Sequence, residues 1–176
     1  KVRMNQLEEA ARCVRGLLHD DVTDFDGEWF SLSQARNEPR PIQKRIPIWI
    51  GGGGEKRTLS IAARFADGWN VPFVAPETFA HKSAVLTEHC QSAGRDPHDV
   101  RRTVNLGIAW TEESLHAQFG MLAEGVRPGV LTGSDEQVID RIGQFIEAGA
   151  DQINIALRAP FDQDALERFS QTLRLA

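Results

Sequence analysis

Four consecutive glycines, Gly51–Gly54, have the clearest chemical meaning in this sequence. They follow the apolar run 46–50 and precede a segment with helical spacing. A glycine inside ordered structure costs about 0.5–1 kcal/mol relative to alanine, so a run of them needs a physical reason. One reason is a tight turn from a strand into a helix. The other is an anion site, in which backbone N–H groups at the start of a helix bind a phosphate group.

The basic residues next to the glycines favour the phosphate site. Lys56 and Arg57 are predicted in the first turn of the following helix, where the helix dipole does not favour positive charge. A bound anion would offset that cost. Glu55 would repel the anion and is predicted to point away from it. The run matches neither the P-loop nor the Gly-x-Gly-x-x-Gly pattern, so the glycines alone are weak support for a phosphate site.

Hydrophobic spacing predicts the elements that position these residues. A helix at 4–18 is followed by a hairpin at the Asp26-Gly27 pair and by an exposed loop at 35–45. The apolar run 46–50 predicts a strand buried on both faces. The further strands are predicted at 68–71, 103–110 and 152–157. The later helices are predicted at 55–66, 76–93, 112–124, 134–148 and 165–173. Ser134 and Gln137 are predicted to form a capping box at the start of the helix at 134–148. The residues predicted to face inward are Leu59, Ala62, Ala63 and Ala66, then Phe79, Val85, Leu86 and Cys90, then Val138, Ile142, Phe145 and Ile146, and finally Leu166, Phe169 and Leu173.

Strands that alternate with helices predict a parallel α/β sheet with right-handed crossovers. Two architectures fit: an open parallel sheet, or half of a (β/α)8 TIM barrel. A whole barrel needs about 250 residues. The helix at the start, without a strand before it, favours the C-terminal half, strands five to eight. The prediction is a single domain, 1–176, with a helix at 1–18, a hairpin-containing insertion at 19–45 and four βα units at 46–176.

Residues at the ends of the predicted strands are further candidates, because barrel chemistry takes place at the carboxyl ends of the strands. Trp69 and Asn70 are candidates to line a cofactor, and the alternative is a core tryptophan with an asparagine that satisfies loop amides. Asp67 is predicted to pair locally and Thr111 to cap a helix. Arg158 is predicted to form a surface ion pair rather than to bind an anionic substrate.

Composition excludes several classes of function. The net charge of −5 argues against nucleic acid as the main partner. No apolar run approaches the ~18 residues of a membrane span, and residues 1–9 lack the apolar core of a signal peptide. The five histidines, predicted to be exposed, lack metal-ligand spacing, so no metal site is predicted. Cys13 and Cys90 fall at apolar helix positions and fit a reducing cytoplasm.

Several blocks of the sequence resemble the bacterial luciferase-like monooxygenase superfamily, and within it the coenzyme F420-dependent oxidoreductases. The most specific are the glycine block within 46–59 and the Ala-Asp-Gly-Trp-Asn block at 66–70. Gly-Arg-Asp-Pro at 94–97 and the segment 133–157 are also similar. The resemblance covers nearly the whole chain. Members of the superfamily are (β/α)8 barrels about twice this length, so the resemblance implies the C-terminal half of a barrel.

In that superfamily the glycine loop holds the cofactor phosphate through backbone amides. The resemblance therefore implies an oxidoreductase that uses F420 for hydride transfer to or from a small organic substrate, with an FMN-dependent monooxygenase as the alternative. The implied cofactor-binding residues are Gly51, Gly52, Gly53, Gly54, Arg57, Trp69 and Asn70. A non-catalytic flavin-binding half-barrel and an unrelated phosphate-binding barrel enzyme stay open.

Much of the catalytic apparatus of the superfamily comes from the first half of the barrel. No catalytic residue is therefore assigned, and the 176 residues alone are expected to be inactive. The apolar runs 46–50 and 153–157 are predicted to be sheet edges. The chain is accordingly expected to pair with the missing N-terminal half-barrel or with a second copy as a homo-oligomer.

Overall fold

The computed structural model describes residues 2–159 and 161–174. Within these ranges the chain divides into two compact units. The first unit contains the residues up to Trp69 together with Val85–Arg101, and the second contains Asn70–Ala84 together with the residues from Arg102 onward. The single domain expected from the sequence stays a prediction.

Helices and strands alternate through most of the chain, in close agreement with the hydrophobic spacing. The strands are β1 (Thr23–Asp26), β2 (Ser31–Ala35), β3 (Trp49–Gly51), β4 (Gly68–Pro72), β5 (Arg101–Ile108), β6 (Val130–Leu131) and β7 (Gln152–Ile155). The α-helices are α1 (Val2–His19), α2 (Thr58–Phe65), α3 (Pro76–Ser92), α4 (Glu112–Phe119), α5 (Ala123–Val126), α6 (Asp135–Glu147) and α7 (Gln163–Arg174). The predicted helix at 112–124 is shorter than expected, because α4 ends at Phe119 and a 3-10 turn at Gly120–Leu122 separates it from α5.

The larger sheet has the strand order β3-β4-β5-β6, and β7 also pairs with β5. Strand β5 runs parallel to β6 and to β7, so the predicted parallel α/β fold is confirmed. Thr103 lies opposite Gln152 and Asn105 opposite Asn154. The two-residue strand β6 was not predicted, since so short a segment carries no readable alternation.

The first unit begins with α1 and the predicted hairpin, which is confirmed as the antiparallel pair β1 and β2. The turn is longer than the two residues expected at Asp26-Gly27. Within it, the Gly27 N–H donates to the Phe30 carbonyl at 2.9 Å. The Glu9 carboxylate of α1 also accepts three backbone N–H groups of the turn, including that of Trp29 at 2.9 Å. Helix α1 therefore holds the hairpin by its tip.

Strand β3 differs from the prediction in length and in burial. It begins at Trp49, and Trp49 is 42% exposed while Ile50 is buried, so burial on both faces is wrong. The shorter strand has a physical reason. Pro47 has no N–H to donate, and the Ile48 N–H donates to the Asp67 carboxylate at 2.9 Å rather than to a strand backbone.

Apolar stripes on the helices form the cores of the units. Three predicted inward residues of α2 and Ala66, which directly follows the helix, are fully buried. Three of the four residues predicted to face inward on α3 are also fully buried. Cys13 and Cys90 are buried, as predicted. The fully buried residues of these two stripes are Leu59, Ala62, Ala63, Ala66, Phe79, Leu86 and Cys90.

Three predicted inward residues of the last two helices are wrong. In α6, Val138 and Phe145 are buried, but Ile146 is 60% exposed. At about 100° per residue, Ile146 lies about 80° around the helix from Val138 and leaves the stripe. In α7 the buried stripe is Ala165, Phe169 and Thr172, which turns Leu166 and Leu173 outward. The capping box of α6 is confirmed: Ser134 accepts from the Gln137 N–H, and the Gln137 side chain accepts from the Ser134 N–H.

Candidate functional site

The glycine run forms the loop between β3 and α2 in the first unit. Gly51 ends β3, and Gly52 has a φ of +121°, which residues other than glycine rarely adopt. Gly51 and Gly54 are exposed, whereas Gly52 and Gly53 are half-buried. The Gly54 carbonyl accepts a hydrogen bond from the Leu59 N–H at 3.1 Å, so the loop closes on the first turn of α2.

Thr58 explains why two positions of the loop need glycine. A Cβ atom on Gly54 would lie 2.8 Å from Thr58 Oγ1, and a Cβ atom on Gly52 would lie 3.3 Å from Thr58 Cγ2. A side chain at Gly54 would therefore require Thr58 to shift, and a side chain at Gly52 would be strained by the positive φ as well as by the close approach of Thr58. Helix α2 begins at Thr58, three residues later than predicted.

The late start of α2 corrects the placement of Lys56 and Arg57, which precede the helix instead of lying in its first turn. The backbone at Arg57 is not helical, with φ −121° and ψ −52°. The dipole argument for a phosphate at their side chains therefore loses its basis. The Arg57 guanidinium donates to Asn5 Oδ1 at 2.7 Å and to Glu8 Oε2 at 3.3 Å, both on α1. Its role as a phosphate ligand stays a prediction.

Trp69 lies in the core of the first unit, which is the alternative that the sequence left open. Its side chain is fully buried, and its Nε1 donates to the Gly52 carbonyl at 2.8 Å. The buried indole therefore holds the carbonyl of Gly52 in place. Trp69 is a positioning residue for the loop, and its place in a cofactor wall stays a prediction.

Asn70 belongs to a row of polar side chains in the second unit. Its Nδ2 donates to Thr103 Oγ1 at 2.8 Å and to Asn105 Oδ1 at 2.9 Å. Asn105 Oδ1 accepts a second hydrogen bond, from Asn154 Nδ2 at 3.1 Å. Gln152 Nε2 donates to Asn154 Oδ1 at 2.6 Å. Side chains from β4, β5 and β7 thus form one continuous amide row.

The amide row occupies one face of the strands and was missed from the sequence. The other face of β5 carries Val104 and Leu106, both fully buried. The signal was present as polar residues at alternate positions, 103 and 105 in β5 and 152 and 154 in β7. This face of the strands therefore supplies several hydrogen-bond donors and acceptors.

The remaining residues at strand ends have structural roles. Thr111 caps α4 as predicted, since its hydroxyl accepts from the Ser114 N–H at 3.1 Å. The hydrogen bond from Arg127 lowers the pKa of Glu112, which lies 2.6 Å from its guanidinium. An ion pair was predicted for Arg158. In the structure its guanidinium lies over the Phe119 ring, 5.2 Å from the centroid.

Asp67 pairs locally, as predicted. It binds the Ile48 N–H through one oxygen and Arg45 through the other. The exposure predicted for the histidines holds for His81, His98 and His116. It is wrong for two half-buried rings, since His19 contacts the Ile46 carbonyl and His89 the Glu55 carbonyl.

Residues 2–159 and 161–174 contain neither a metal-ligand cluster nor a membrane-spanning helix. No three histidine, cysteine, aspartate or glutamate side chains among them are grouped as metal ligands would be. Every helix in these ranges is too short or too polar to span a bilayer.

The family model for luciferase-like monooxygenases matches residues 2–123, which is more than half of the chain. The chain belongs to the luciferase-like monooxygenase family. The match extends over the glycine loop, Trp69 and the amides of β4 and β5. The resemblance carried by the glycine block is thereby confirmed.

Relatives of this luciferase-like chain include F420-dependent dehydrogenases. It is 30% identical over 112 residues to the F420-dependent glucose-6-phosphate dehydrogenase of Mycolicibacterium gilvum, an alignment that covers 62% of the chain and 33% of the dehydrogenase. The corresponding enzyme of Kineococcus radiotolerans is 26% identical over 117 residues, with 65% and 34% covered.

Solved structures with the same fold include a dehydrogenase and a monooxygenase. An F420-dependent secondary alcohol dehydrogenase in complex with an F420-acetone adduct superposes with a TM-score of 0.73 at 20% identity, covering 88% of this chain and 56% of the dehydrogenase. EDTA monooxygenase from Chelativorans sp. BNC1 superposes with a TM-score of 0.72 at 18% identity, covering 98% and 58%. The chain thus spans just over half the length of these structures and about a third of the curated relatives.

Proposed function

We propose that the protein is a luciferase-like oxidoreductase that uses coenzyme F420 for hydride transfer to or from a small organic substrate. The F420-dependent relatives at up to 30% identity over 112 residues support this cofactor. When bound, F420 supplies the hydride chemistry through its deazaflavin ring. This chain supplies binding and orientation.

The observation that carries the proposal is the conformation of the glycine loop. Successive backbone N–H groups around a residue with positive φ form a concave site for anions. Gly52 has that conformation, and the missing Cβ atoms let a ligand approach the backbone closely. The loop therefore fits a cofactor phosphate, with Gly51–Gly54 as its ligands and Trp69 beneath them. Arg57 and Asn70 complete the proposed set.

FMN is the second candidate, supported by the structural similarity to a riboflavin lyase whose structure contains a modified FMN. FMN and F420 both carry a phosphate group, so the glycine loop serves either cofactor. The difference lies in the ring and in the reaction, which is oxygen insertion with FMN. Substrate-dependent turnover with either cofactor would exclude a non-catalytic flavin-binding half-barrel.

We also propose that the chain is strands five to eight of a barrel that a first half completes. The coverage of just over half of the related structures supports this. So does the half-buried state of Ile153 and Ile155 in β7, whose apolar side chains a neighbouring strand would cover. A second copy of the chain is the alternative partner. On this proposal the isolated chain is inactive and associates with other copies at micromolar concentration.

We also propose a cytoplasmic location, which the buried thiols of Cys13 and Cys90 favour.

The test uses protein that contains this chain together with the proposed first half-barrel. F420 and FMN are titrated separately by fluorescence, with wild type, Gly53→Val and the control Gly125→Val. Gly125 lies outside the loop, and a Cβ atom there meets no atom within 4 Å. We expect F420 to bind more tightly than FMN and Gly53→Val to weaken binding by about tenfold or more.

The glycine loop, the choice of cofactor and the half-barrel can each be contradicted separately. Unchanged affinity in a folded Gly53→Val protein would remove the glycine loop from the cofactor site. Tighter binding of FMN would replace F420. Turnover by the isolated 176 residues at the rate of the completed protein, or sedimentation as a monodisperse 19.6 kDa monomer that binds no hydrophobic dye, would exclude the half-barrel.

A further inference from the structure

Four arginines line one cavity of the first unit, at the opposite end of the strands from the glycine loop. The cavity has a volume of about 470 Å³. Arg45 precedes β3, Asp67 directly precedes β4 and Asp99 lies two residues before β5, so the cavity lies at the amino ends of these strands. Its lining residues are Arg15, Arg45, Arg64, Arg95, Asp67 and Asp99.

The charges around this cavity do not balance. Asp67 pairs with Arg45, and the Asp99 carboxylate lies 3.9 Å from Arg95 Nε. Arg64 pairs with Glu8 at 2.8 Å. Arg15 has no carboxylate partner among the described residues. Four guanidinium groups therefore meet three carboxylates around this cavity, and the positive charge of Arg15 is left for an anion to balance.

Two of the four arginines serve the fold. Arg95 donates to the carbonyls of Ala63 and Ala66 at 3.1 and 2.7 Å, which satisfies the end of α2. Arg64 donates to the Ser60 carbonyl as well as to Glu8. These two guanidinium groups are therefore largely occupied.

Arg15 and Arg45 keep most of their hydrogen-bonding capacity. The one described hydrogen bond of Arg15 is a contact of 3.4 Å with the Phe65 carbonyl, and that of Arg45 is with Asp67. A guanidinium has five N–H donors in a planar fork, which suits the oxygens of phosphate and carboxylate groups. These two residues are the ones able to bind a ligand.

A second cavity shares Arg15 and Arg45 and points to the same class of ligand. It also measures about 470 Å³, and its wall includes Lys44, Phe65 and Thr23. Thr23 is 7% exposed, and its Oγ1 is the one buried side-chain oxygen or nitrogen without a hydrogen-bond partner in the described part of the chain. Asp20 and Asp24 also line it, so the wall combines cations, two carboxylates, a hydroxyl and an aromatic surface.

We propose that Arg15 and Arg45 bind the phosphate group of a small phosphorylated molecule whose organic part occupies the second cavity. The planar N–H forks of the two guanidinium groups suit the oxygens of a phosphate monoester, and the charge of Arg15 has no carboxylate partner in the described part of the chain. The volume is in the range of small-molecule sites and exceeds what an inorganic ion fills. The site is separate from the glycine loop and does not depend on the identity of the cofactor.

The test is isothermal titration of the protein with inorganic phosphate, phenyl phosphate and succinate at constant ionic strength. The variants are Arg15→Gln and the control Arg3→Gln, which removes the same charge from an exposed position of α1. We expect phenyl phosphate to bind more tightly than phosphate, and Arg15→Gln to weaken both by about tenfold. Arg3→Gln should bind both as the wild type does. The losses should persist in the Gly53→Val background, which removes any phosphate held by the glycine loop.

Each other result overturns the proposal. Phosphate binding no stronger than the effect of sodium chloride, or equal affinities of the Arg15→Gln and Arg3→Gln proteins, would exclude the site. Succinate binding as tightly as phosphate would exclude the ligand class, and losses that vanish in the Gly53→Val background would assign them to the glycine loop. If Arg15→Gln does not fold, Arg15→Lys keeps the charge, and it should still lose about threefold in affinity because the planar fork is gone.

Discussion

The indole Nε1 of Trp69 donates a hydrogen bond to the carbonyl oxygen of Gly52 at 2.8 Å. The ring is fully buried, and Gly52 has a φ of +121°. Because a peptide unit is planar, holding its carbonyl also fixes the direction of the N–H on the other side, that of Gly53. A core side chain thus sets the orientation of a peptide in the proposed phosphate loop.

Replacing Trp69 by phenylalanine tests this relationship. Trp69→Phe keeps an aromatic ring but leaves the Gly52 carbonyl without its indole donor, which should cost about 1–2 kcal/mol of unfolding free energy. Cofactor affinity should fall as well, because the loop loses its fixed peptide. Thermal unfolding and fluorescence titration measure the two effects. The control is Trp29→Phe, since the Trp29 indole has no acceptor in the described part of the chain. Equal behaviour of the two variants would show that the hydrogen bond is dispensable.

Two glycine-to-alanine substitutions should have opposite effects on stability. Gly52→Ala places a Cβ atom 3.3 Å from Thr58 Cγ2 at a positive φ, and should cost about 1–3 kcal/mol. Gly143 lies inside α6, and a Cβ atom there meets no atom within 4 Å. Gly143→Ala should therefore stabilise by about 0.5–1 kcal/mol. Urea denaturation measures both, and a shift of the same sign would refute the geometric argument.

Glu8 should make stability depend on acidic pH. The hydrogen bond from Arg64 lowers the pKa of Glu8 despite partial burial, with further attraction from Arg12 and Arg57. A carboxylate with a lowered pKa in the folded state contributes stability above its unfolded pKa, about 4.3, and loses it as the pH falls through the folded value. Glu8→Gln should cost about 1–2 kcal/mol near neutral pH and show a smaller loss on acidification.

The measurement is urea denaturation between about pH 7 and pH 3. The control Glu136→Gln removes the same charge from an exposed position of α6. The control should keep the wild-type dependence on pH. A wild-type slope in the Glu8→Gln protein would mean that other carboxylates cause the acid sensitivity.

Asn105 is the centre of the amide row. Asn105→Ala removes the oxygen that accepts from both Asn70 and Asn154, and leaving these half-buried donors unpaired should cost about 1–3 kcal/mol. Asn105→Asp keeps an acceptor at the same position and should lose less. Chemical denaturation at neutral pH ranks the two variants, and an equal loss in both would show that packing rather than hydrogen bonding holds this face.

Local patterns in the sequence were sufficient for most of the elements and for the family. The hairpin at Asp26-Gly27, the capping box at Ser134 and the alternation of strands and helices depend on neighbouring residues, whose spacing reports directly on backbone conformation. The glycine run and the Ala-Asp-Gly-Trp-Asn block identified the luciferase-like family for the same reason, because a backbone that approaches a ligand or a helix closely admits only glycine.

Contacts between residues far apart in the chain decided the rest. Whether Arg57 faced a ligand or α1 depended on Asn5 and Glu8, which lie about fifty positions earlier in the sequence. The amide row and the arginine cavity join residues from separate strands and helices, and no local pattern records which of them meet. Periodicity shows which side of an element is buried, but the partners of a polar side chain are set by tertiary packing, because hydrogen bonds and ion pairs require distances that only the folded chain provides.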